Sequence, residues 1–575
     1  MNIKSFIISK IFGLALVAFF LIPSELMAEK VATITYTQVV NGRSSDRGGK
    51  TVVIAAPDFA MTYSERDRSR LIPQTPEERN YIDYSQKQTW QVAQLFDGTS
   101  VHMKSDFSEY PEFVLTDETA VIAGYTCRKA TSSLRSNSLE IWFTNEAGVK
   151  GTPQPSFGIP DGLVLKTVRN GNFEVVAQEV VIEENQVSPP ALPQNMGENA
   201  DQALYRHRVT ESYIETIRIF DEAQLSWGNP IQNPVTDAVD SIWHFAGGTV
   251  VAKKVVLPKV SPNYLVFAEL HQYSNGDAYD RTGSVFIIPN DKEQSMLDAL
   301  KNGIDNVPVF NARNGKSYQG MIATPAFDPA IELVRFFTPF GVRQFNEQVK
   351  VYGQEWEEVA YYKQDITELL SELQGEVWIG AFIGNYDKGG HKISLDIKYY
   401  PGSPQVSDQE APKQYVAPLF NTLNFMEMAG QNYGTFFDQD SLTVEFIVPE
   451  GVSNLKLRYI TTGHGGWGGG DEFNQKLNSI FIDGQLAYSF IPWRTDCGTF
   501  RKYNPASGNF WNGVTSSDYS RSGWCPGGIT DPNYILLNHL KPGKHVMKVA
   551  IPQGAPQGNS FSAWCVSGVL IGELK

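Results

Sequence analysis

The chain has 575 residues, of which 42% are hydrophobic and 19% are charged, and its formal net charge is -15. This apolar content excludes a chain that is disordered throughout, and the acidic balance without a Lys/Arg cluster argues against a nucleic-acid partner. The 49 glycines and the 12% of aromatic residues favour turn-rich β structure over helical bundles.

The N-terminal segment, residues 1–28, has the pattern of a secretory signal peptide. Lys4 and Lys10 precede an apolar stretch at 11–22, and a small residue, Ala28, follows Pro23. A retained single-helix anchor is the alternative, but the apolar run is shorter than the roughly 20 residues that cross a bilayer. We therefore predict cleavage after Ala28, no membrane span in the mature chain, and a secreted or periplasmic protein.

Short period-two runs separated by polar turns predict a β-rich N-terminal domain over 29–186. Clear examples are residues 32–40, 139–144 and 172–177, where apolar and polar side chains alternate as in antiparallel strands with one buried face. The Pro-rich segment 187–208 lacks hydrophobic periodicity, which predicts a linker.

Strand patterns return in two further blocks, 209–401 and 413–575, separated by a second predicted linker at 402–412. One α-helix is predicted inside the first block, capped by Asp365 and Glu368 and stopped by Gly375. Two all-β blocks in series predict two sequential antiparallel jelly-roll sandwiches behind the β-rich N-terminal domain.

The four cysteines predict one disulfide. Cys497 and Cys525 lie close together in a loop-rich stretch, so we predict a bond between them, and we expect Cys127 and Cys565 to be buried free thiols. No C-x-x-C pair and no histidines at ligand spacing occur. The sequence therefore offers no ligand set for zinc or copper.

A first candidate site is the loop 275–283, between two strand-like runs. Asp277, Asp280 and Arg281 place two carboxylates and a guanidinium close together, a composition that can hold a polar substrate and activate water. The Asn-Gly-Asp start is also ordinary hairpin-turn chemistry, and composition alone favours that turn.

A second candidate is the loop 461–473, in which six glycines fall between Gly463 and Gly470. His464, Trp467, Asp471 and Glu472 lie among or beside them. Because glycine lets a ligand approach the backbone closely, a functional loop is favoured over a flexible surface connection. A single histidine indicates hydrogen bonding rather than metal ligation.

A third candidate is the long irregular span 490–527. It carries Trp493, Trp511 and Trp524 together with Arg494 and Arg521, and tryptophan faces and arginine forks are side chains that grip sugars. A disulfide-stabilised surface loop whose aromatics cover a core edge explains the composition equally well.

Several motifs in the last two blocks resemble the peptide:N-glycosidase F family. Residues 521–527 (RSGWCPG) are similar to that family's RAGWCPG stretch, 277–281 (DAYDR) resemble DEWDR, and 471–473 (DEF) resemble AEW. Residues 337–340 (FTPF) resemble an ITPY segment between them. The matches occur in the family's order across 209–575.

The resemblance implies a jelly-roll enzyme, a monomer without a cofactor or metal, that acts on N-linked glycoproteins or glycopeptides. The implied reaction is hydrolysis of the amide between asparagine and the first GlcNAc. Asp280 would be the principal catalytic residue, ionised at neutral pH to activate water, and Glu472 the second, holding the GlcNAc or its linkage amide. The expected substrate-binding residues are Arg521, His464, Asp277, Arg281, Tyr279 and Trp524.

The chain also departs from the family's pattern. Gly276, Gly470 and Asn474 stand where the family carries cysteines that flank the two loops, and a further family glutamate has no clear counterpart near 379–383. A glycan-binding module that kept the fold and lost the reaction is therefore the alternative function, although retention of both Asp280 and Glu472 argues against it. A copper monooxygenase on a similar double sandwich would need histidine clusters, and the eight histidines are scattered.

The N-terminal block has a resemblance of its own. Residues 123–130, 141–144 and 157–165 resemble the GLPGLI family of exported bacterial proteins, which implies an accessory module. With this block the chain looks like the longer, type II branch of the peptide:N-glycosidase F family.

Overall fold

The structure is a computed structural model that describes residues 30–574 except 46–48, 67–71, 185–187, 230, 314, 403–412, 432–435, 466–469 and 557–559. The predicted signal peptide, most of the second linker and Trp467 lie outside the described residues. The chain divides into two compact units, Met1–Ser212 and Tyr213–Lys575. Within the described ranges no helix is long and apolar enough to span a membrane.

The first unit is built on one 13-stranded sheet. Its strands are β1 (Lys30–Val40), β2 (Arg43–Ser45), β3 (Lys50–Ala55), β4 (Phe59–Glu65), β5 (Glu77–Asp83), β6 (Gln88–Gln94), β7 (Ser100–Asp106), β8 (Val114–Ile122), β9 (Tyr125–Leu134), β10 (Asn137–Thr144), β11 (Leu163–Arg169), β12 (Phe173–Glu184) and β13 (Glu198–Asn199). The strands pair in the order β13-β7-β6-β5-β4-β3-β1-β12-β11-β10-β9-β8, with β2 beside β1. The predicted β-rich N-terminal domain is confirmed.

The predicted linker 187–208 is wrong in its second half. β13 pairs with β7, and helix α1 (Gln202–Glu211) follows, with the Asp201 carboxylate accepting the Leu204 N–H at 2.8 Å. Tyr205 is the buried residue of this helix and packs beside Leu95 and Val101. A helix that buries a single residue has no apolar stripe, which is why its sequence does not reveal it.

The second unit contains the remaining strands and, among its described residues, two short α-helices. In the first block they are β14 (Glu215–Leu225), β15 (Ile242–Phe245), β16 (Val250–Leu257), β17 (Leu265–Ser274), β18 (Thr282–Ile288), α2 (Met296–Asn302), β19 (Val309–Asn311), β20 (Ser317–Gln319), β21 (Ile331–Phe337), β22 (Ala360–Asp365), β23 (Gly375–Ile383) and β24 (His391–Tyr400). In the second block they are β25 (Lys413–Asn421), α3 (Phe436–Gln439), β26 (Leu442–Val448), β27 (Val452–His464), β28 (Asn478–Ile482), β29 (Gln485–Phe490), β30 (Ile529–Thr530), β31 (Asn533–Leu536), β32 (Gly543–Ala550) and β33 (Ala563–Leu574).

Apart from β19 and β20, which pair as a separate two-stranded sheet, these strands form two sandwiches, each with its own core. In the first sandwich the sheet β14-β24-β17-β22 packs on the sheet β15-β16-β23-β18-β21-β30, and Leu395 and Val285 are fully buried between them. In the second, β25-β33-β27-β31 packs on β26-β32-β28-β29 around residues such as Leu457 and Val549. The predicted all-β class with two sequential jelly-roll sandwiches is confirmed.

Two buried arginines and one strand join the sandwiches into a single unit. Arg335 forms an ion pair with Glu332 at 2.7 Å and also donates to the Thr462 hydroxyl at 3.0 Å, which lies on β27 of the second sandwich. Arg458, on β27, donates to the Glu332 carbonyl at 2.8 Å. β30, from the second block, pairs with β21 of the first.

The α-helix predicted over 365–375 is wrong in type. The structure has a 3-10 helix at Thr367–Glu372, and Asp365 accepts only a local hydrogen bond from the Thr367 N–H at 3.0 Å. The apolar residues of this segment, Ile366, Leu369, Leu370 and Leu373, are nevertheless buried in the first core. The connection between β22, which ends at Asp365, and β23, which begins at Gly375, is short. Its conformation follows from the burial of its apolar side chains rather than from its capping residues.

The cysteine predictions are confirmed. Cys497 and Cys525 form a disulfide, and Cys127 and Cys565 are free and buried. The disulfide closes a loop whose ends are separated by 28 residues, and that loop contains Arg521. The covalent bond therefore restrains the segment that carries this arginine.

Candidate functional site

Asp280 lies in the connection between β17 and β18, and its neighbours on both sides are fixed. The Thr338 hydroxyl donates to the Tyr279 carbonyl at 3.0 Å and accepts the Arg281 N–H at 2.7 Å. The Thr338 N–H donates to the Arg281 carbonyl at 3.0 Å. Thr338, which directly follows β21, thus clamps the backbone around Asp280.

Asp277 organises the same loop from inside. Its carboxylate accepts the Tyr279 N–H at 3.0 Å and Arg281 Nε at 2.7 Å, and it lies 3.5 Å from His391 Nε2. Burial alone would raise its pKa, but the nearby His391 ring and the hydrogen-bonded Arg281 guanidinium outweigh burial and hold the pKa of Asp277 well below its usual range. Asp277 is therefore a permanent carboxylate around which the loop is built.

Glu472 follows β27 and is positioned by its buried neighbour Asp471. The Asp471 carboxylate accepts the Trp564 indole N–H at 2.7 Å and the Gly554 N–H at 3.0 Å. The Glu472 carbonyl accepts the Ser522 N–H at 2.9 Å. These bonds tie the Glu472 loop to β33 and to the segment that carries Arg521.

Hydrogen bonding spans the two positions of this loop where the family carries cysteines. Asn474 Nδ2 donates to the Gly470 carbonyl at 2.7 Å. The bond joins the residues on either side of Glu472, so a polar contact takes the place that a disulfide would occupy.

Arg521 brings the two candidate carboxylates together. Its Nη1 lies 3.1 Å from Asp280 Oδ2 and also bonds Glu472 Oε1. Its Nη2 donates to the carbonyl and hydroxyl oxygens of Ser516 at 2.9 and 3.1 Å. The guanidinium is buried, and its Cζ lies 4.4 Å from the centroid of the Trp524 ring. Its position is therefore fixed by this ring contact as well as by its hydrogen bonds.

The two carboxylates have unusual proton affinities. Burial raises the pKa of Glu472 to about 7. The negative charge of Asp280 also raises this pKa, whereas the positive charge of Arg521 lowers it. Burial likewise raises the pKa of Asp280, again opposed by Arg521. Because the two groups share one cation, they titrate as a pair. The expectation of a simply ionised Asp280 is therefore incomplete, since the pair retains a proton up to about neutral pH.

A cleft of about 720 Å³ opens over this pair, within the size range of small-molecule sites. The described residues that line it are Ala278, Tyr279, Asp280, Phe340, Gly465, Glu472, Phe473, Ala506, Gly508, Asn509, Phe510, Ser516, Arg521, Ser560 and Phe561. Asp280 comes from the first sandwich and Glu472 and Arg521 from the second. The predicted placement of Asp280, Glu472, Arg521 and Tyr279 at one cleft therefore agrees with the structure.

Asp277 and Trp524, for which the sequence predicts substrate binding, are not among the described residues that line the cleft. Both side chains are buried. Asp277 is occupied by Arg281, and the Trp524 indole N–H donates to the Gly463 carbonyl at 2.9 Å while its ring supports Arg521. In this structure both residues position neighbouring site residues, and contact with a substrate stays a prediction for each.

His464 and Arg281 lie beside the cleft, outside the described residues that line it. His464 accepts or donates a hydrogen bond with the Thr462 hydroxyl at 2.8 Å and stacks on Phe337 with ring centroids 5.7 Å apart. Burial, helped by the charges of Arg335 and Arg521, lowers the pKa of His464 to about 3, so the ring is neutral. Substrate contacts for His464 and Arg281 stay a prediction.

An aromatic cluster on the cleft wall was not predicted from the sequence. Phe510 packs against Tyr519 with ring centroids 4.6 Å apart and against Phe473 at 5.3 Å. The motifs placed Phe473 next to Glu472 and Phe510 next to Trp511, but nothing in the sequence indicates that the rings meet. Within the described parts of the chain no three His, Cys, Asp or Glu side chains are grouped to hold a metal ion, and a metal-free site stays a prediction.

Comparison with known proteins covers nearly the whole chain. Three family models match: "N-glycanase peptide, N-terminal domain" over 34–207, "Peptide-N-glycosidase F, N terminal" over 216–399 and "Peptide-N-glycosidase F, C terminal" over 432–571. The first of these covers the block in which we noted the GLPGLI resemblance. A search of curated proteins returned no match.

Solved structures give the same picture. The structure of PNGF-II in a C2 crystal is similar to this chain at 43% identity and a TM-score of 0.85, covering 95% of this chain and 98% of that one. Its P21 form matches at 44% identity and the same TM-score, covering 95% and 100%. PNGase F from Flavobacterium meningosepticum, a glycosylasparaginase, matches at 16% identity and a TM-score of 0.43, covering 63% and 96%. The chain therefore belongs to the peptide-N-glycosidase F family, a glycan-related amidase family, and to its longer branch with an additional N-terminal domain.

Proposed function

We propose that the protein is a secreted amidase that hydrolyses the glycosylasparagine bond of N-glycoproteins, releasing the whole N-glycan and converting asparagine to aspartate. One observation carries the proposal: Asp280 and Glu472, from different sandwiches, meet at Nη1 of Arg521 inside a cleft of about 720 Å³. Family membership supports the choice of a glycan-linked amide as the substrate.

Asp280 is the general base in this proposal. In its ionised form it takes a proton from a water molecule as the water oxygen attacks the side-chain amide carbon of the substrate asparagine. The C–N bond then breaks, the nitrogen leaves with the sugar as a glycosylamine after gaining a proton, and the peptide keeps a carboxylic acid. The glycosylamine later loses ammonia in water.

Glu472 and Arg521 act on the amide itself. With a pKa of about 7, Glu472 retains its proton over much of the acidic and neutral range and can donate it to the amide or to the departing nitrogen. Arg521 favours one negative charge on the pair and places that charge near the attacking water. Its fixed orientation over Trp524 avoids reorganisation during the reaction.

The direct test is the isosteric variant Asp280→Asn on a glycopeptide of defined structure, analysed by mass spectrometry. The wild type converts the glycosylated asparagine to aspartate and releases the intact glycan, whereas the variant does neither while keeping the wild-type circular dichroism spectrum. Glu445→Gln is a matched control, because Glu445 lies on β26 with an exposed side chain paired to Lys544, and it should turn over normally.

Two results would contradict the assignment. Wild-type rates in Asp280→Asn would exclude Asp280 as the base. A wild-type protein that binds the glycopeptide but leaves it intact would instead identify a glycan-binding module on the same fold.

A further inference from the structure

The hairpin 508–516 carries a tryptophan at its tip that is 95% exposed, Trp511. A single exposed aromatic side chain is ordinary on protein surfaces, so its exposure alone carries no conclusion. Its location does, because four residues of this hairpin, Gly508, Asn509, Phe510 and Ser516, line the cleft.

The hairpin holds its tip in a defined conformation. The Phe510 N–H donates to the Val514 carbonyl at 2.8 Å, the Gly513 N–H donates to the Phe510 carbonyl at 2.9 Å, and the Ser516 N–H donates to the Gly508 carbonyl at 2.7 Å. Gly513 has a φ of 83°, a conformation that glycine adopts readily. The backbone of Trp511 is therefore fixed, and only the two side-chain torsions of the indole need to be ordered on binding.

The same hairpin is tied to the reacting groups. Gly508, Asn509, Phe510 and Ser516 line the cleft, and Arg521 Nη2 holds Ser516 while its Nη1 contacts Asp280 and Glu472. Trp511 directly follows a cleft-lining residue but does not itself line the cleft. It is thus placed to meet the part of a substrate that extends beyond the bond to be cleaved.

Amide groups accompany the indole. The side-chain oxygen Oδ1 of Asn512 accepts a hydrogen bond from the Val514 N–H at 3.1 Å, and Oδ1 of Asn509 accepts one from the Thr515 hydroxyl at 3.2 Å. Both asparagines therefore use their side-chain oxygen within the hairpin. The hairpin thus carries the two kinds of group that bind a pyranose, whose C–H face stacks on aromatic rings while its hydroxyls accept hydrogen bonds from amides.

We propose that Trp511 is a specificity-determining residue that stacks on a sugar of the N-glycan beyond the GlcNAc at the scissile amide. The proposal rests on the proposed amidase function. A fixed indole suits the glycan core, which is chemically constant among N-glycoproteins, better than the peptide, whose sequence around the asparagine varies.

The test compares two substrates that share one peptide: one carries a complete N-glycan, and the other is trimmed to a single GlcNAc. Trp511→Ala should raise KM for the complete glycan by about fivefold to tenfold with little change in kcat, and leave both constants for the trimmed substrate unchanged. Val514→Ala, in the same hairpin, is the matched control and should behave as the wild type on both substrates.

Binding measured without turnover separates this proposal from the reaction. Calorimetry with the complete glycopeptide should show weaker binding by the same factor in Asp280→Asn, Trp511→Ala than in Asp280→Asn alone. An equal rise in KM for the two substrates would show that Trp511 contacts the linkage sugar or the peptide. Unchanged KM and affinity would show that Trp511 does not contact the substrate. Either result overturns the proposal. A wild type that hydrolyses neither substrate refutes the amidase function, and the calorimetric comparison then still decides whether Trp511 binds the glycan.

Discussion

Replacing Glu472 by glutamine tests the electrostatics of the site independently of catalysis. Burial raises the pKa of Glu472 from 4.5 to about 7, so the folded protein holds this proton roughly 300-fold more tightly than the unfolded chain, which is worth about 3 kcal/mol. Because the folded pKa is the higher one, this stabilisation is fully present below pH 4.5 and is lost as the pH rises through about 7. Glutamine cannot titrate and keeps a comparable size.

We therefore expect the free energy of unfolding of the wild type, relative to Glu472→Gln, to fall by about 3 kcal/mol across that pH window. Urea unfolding followed by tryptophan fluorescence, at intervals over the window, measures this difference. The control Glu445→Gln removes an exposed glutamate that pairs with Lys544 and should follow the wild-type curve. Parallel curves for the wild type and Glu472→Gln would show that the Glu472 carboxyl is not perturbed and would refute the proton-sharing pair.

Three further perturbations address the parts that hold the site. Asp277→Asn should lower kcat by about 10-fold to 100-fold, because the loop loses its central anion, with a smaller change in KM; an unchanged kcat in steady-state assays would contradict a positioning role. Arg335→Met should lower the free energy of unfolding by about 3 to 5 kcal/mol, since it leaves the Glu332 charge buried, and the double variant Arg335→Met, Glu332→Leu should recover most of the loss in urea titrations. Removing the disulfide with Cys497→Ser and Cys525→Ser should cost about 3.5 kcal/mol, and equal stability with and without the bond would show that the loop is held by other contacts.

The motif residues could be found from the sequence because the identity of each side chain follows from the reaction, not from its packing neighbours. Asp280, Glu472 and Arg521 lie in short stretches whose order along the chain matches the family, and the structure places all three at one cleft. The sandwiches could be predicted for a similar reason, since period-two alternation follows directly from a sheet with one buried face.

Roles within those motifs could not be assigned in the same way. Trp524 lies three residues after Arg521, and its sequence context fits a sugar platform as well as it fits a buried support. Which role it takes depends on the position of Phe337, whose ring stacks on it with centroids 4.3 Å apart, and that neighbour lies far away along the chain. Burial decided by long-range packing is not visible in a local pattern, and the same holds for helix α1, which buries only Tyr205.

The site relies on an ion pair and on hydrogen bonds at positions where the family's pattern has covalent bonds. At the Asp280 loop, where Gly276 replaces a cysteine, Asp277 gathers Arg281 and a backbone N–H; at the Glu472 loop a side-chain amide spans the positions of the missing cysteines. Arg521 then links both loops and the tryptophan hairpin through two nitrogens of one planar group. A lysine, with a single charged nitrogen, cannot hold all three at fixed angles. The geometry of the reaction centre is thus set by one buried guanidinium, which explains why the most specific motif in the sequence surrounds Arg521 rather than either carboxylate.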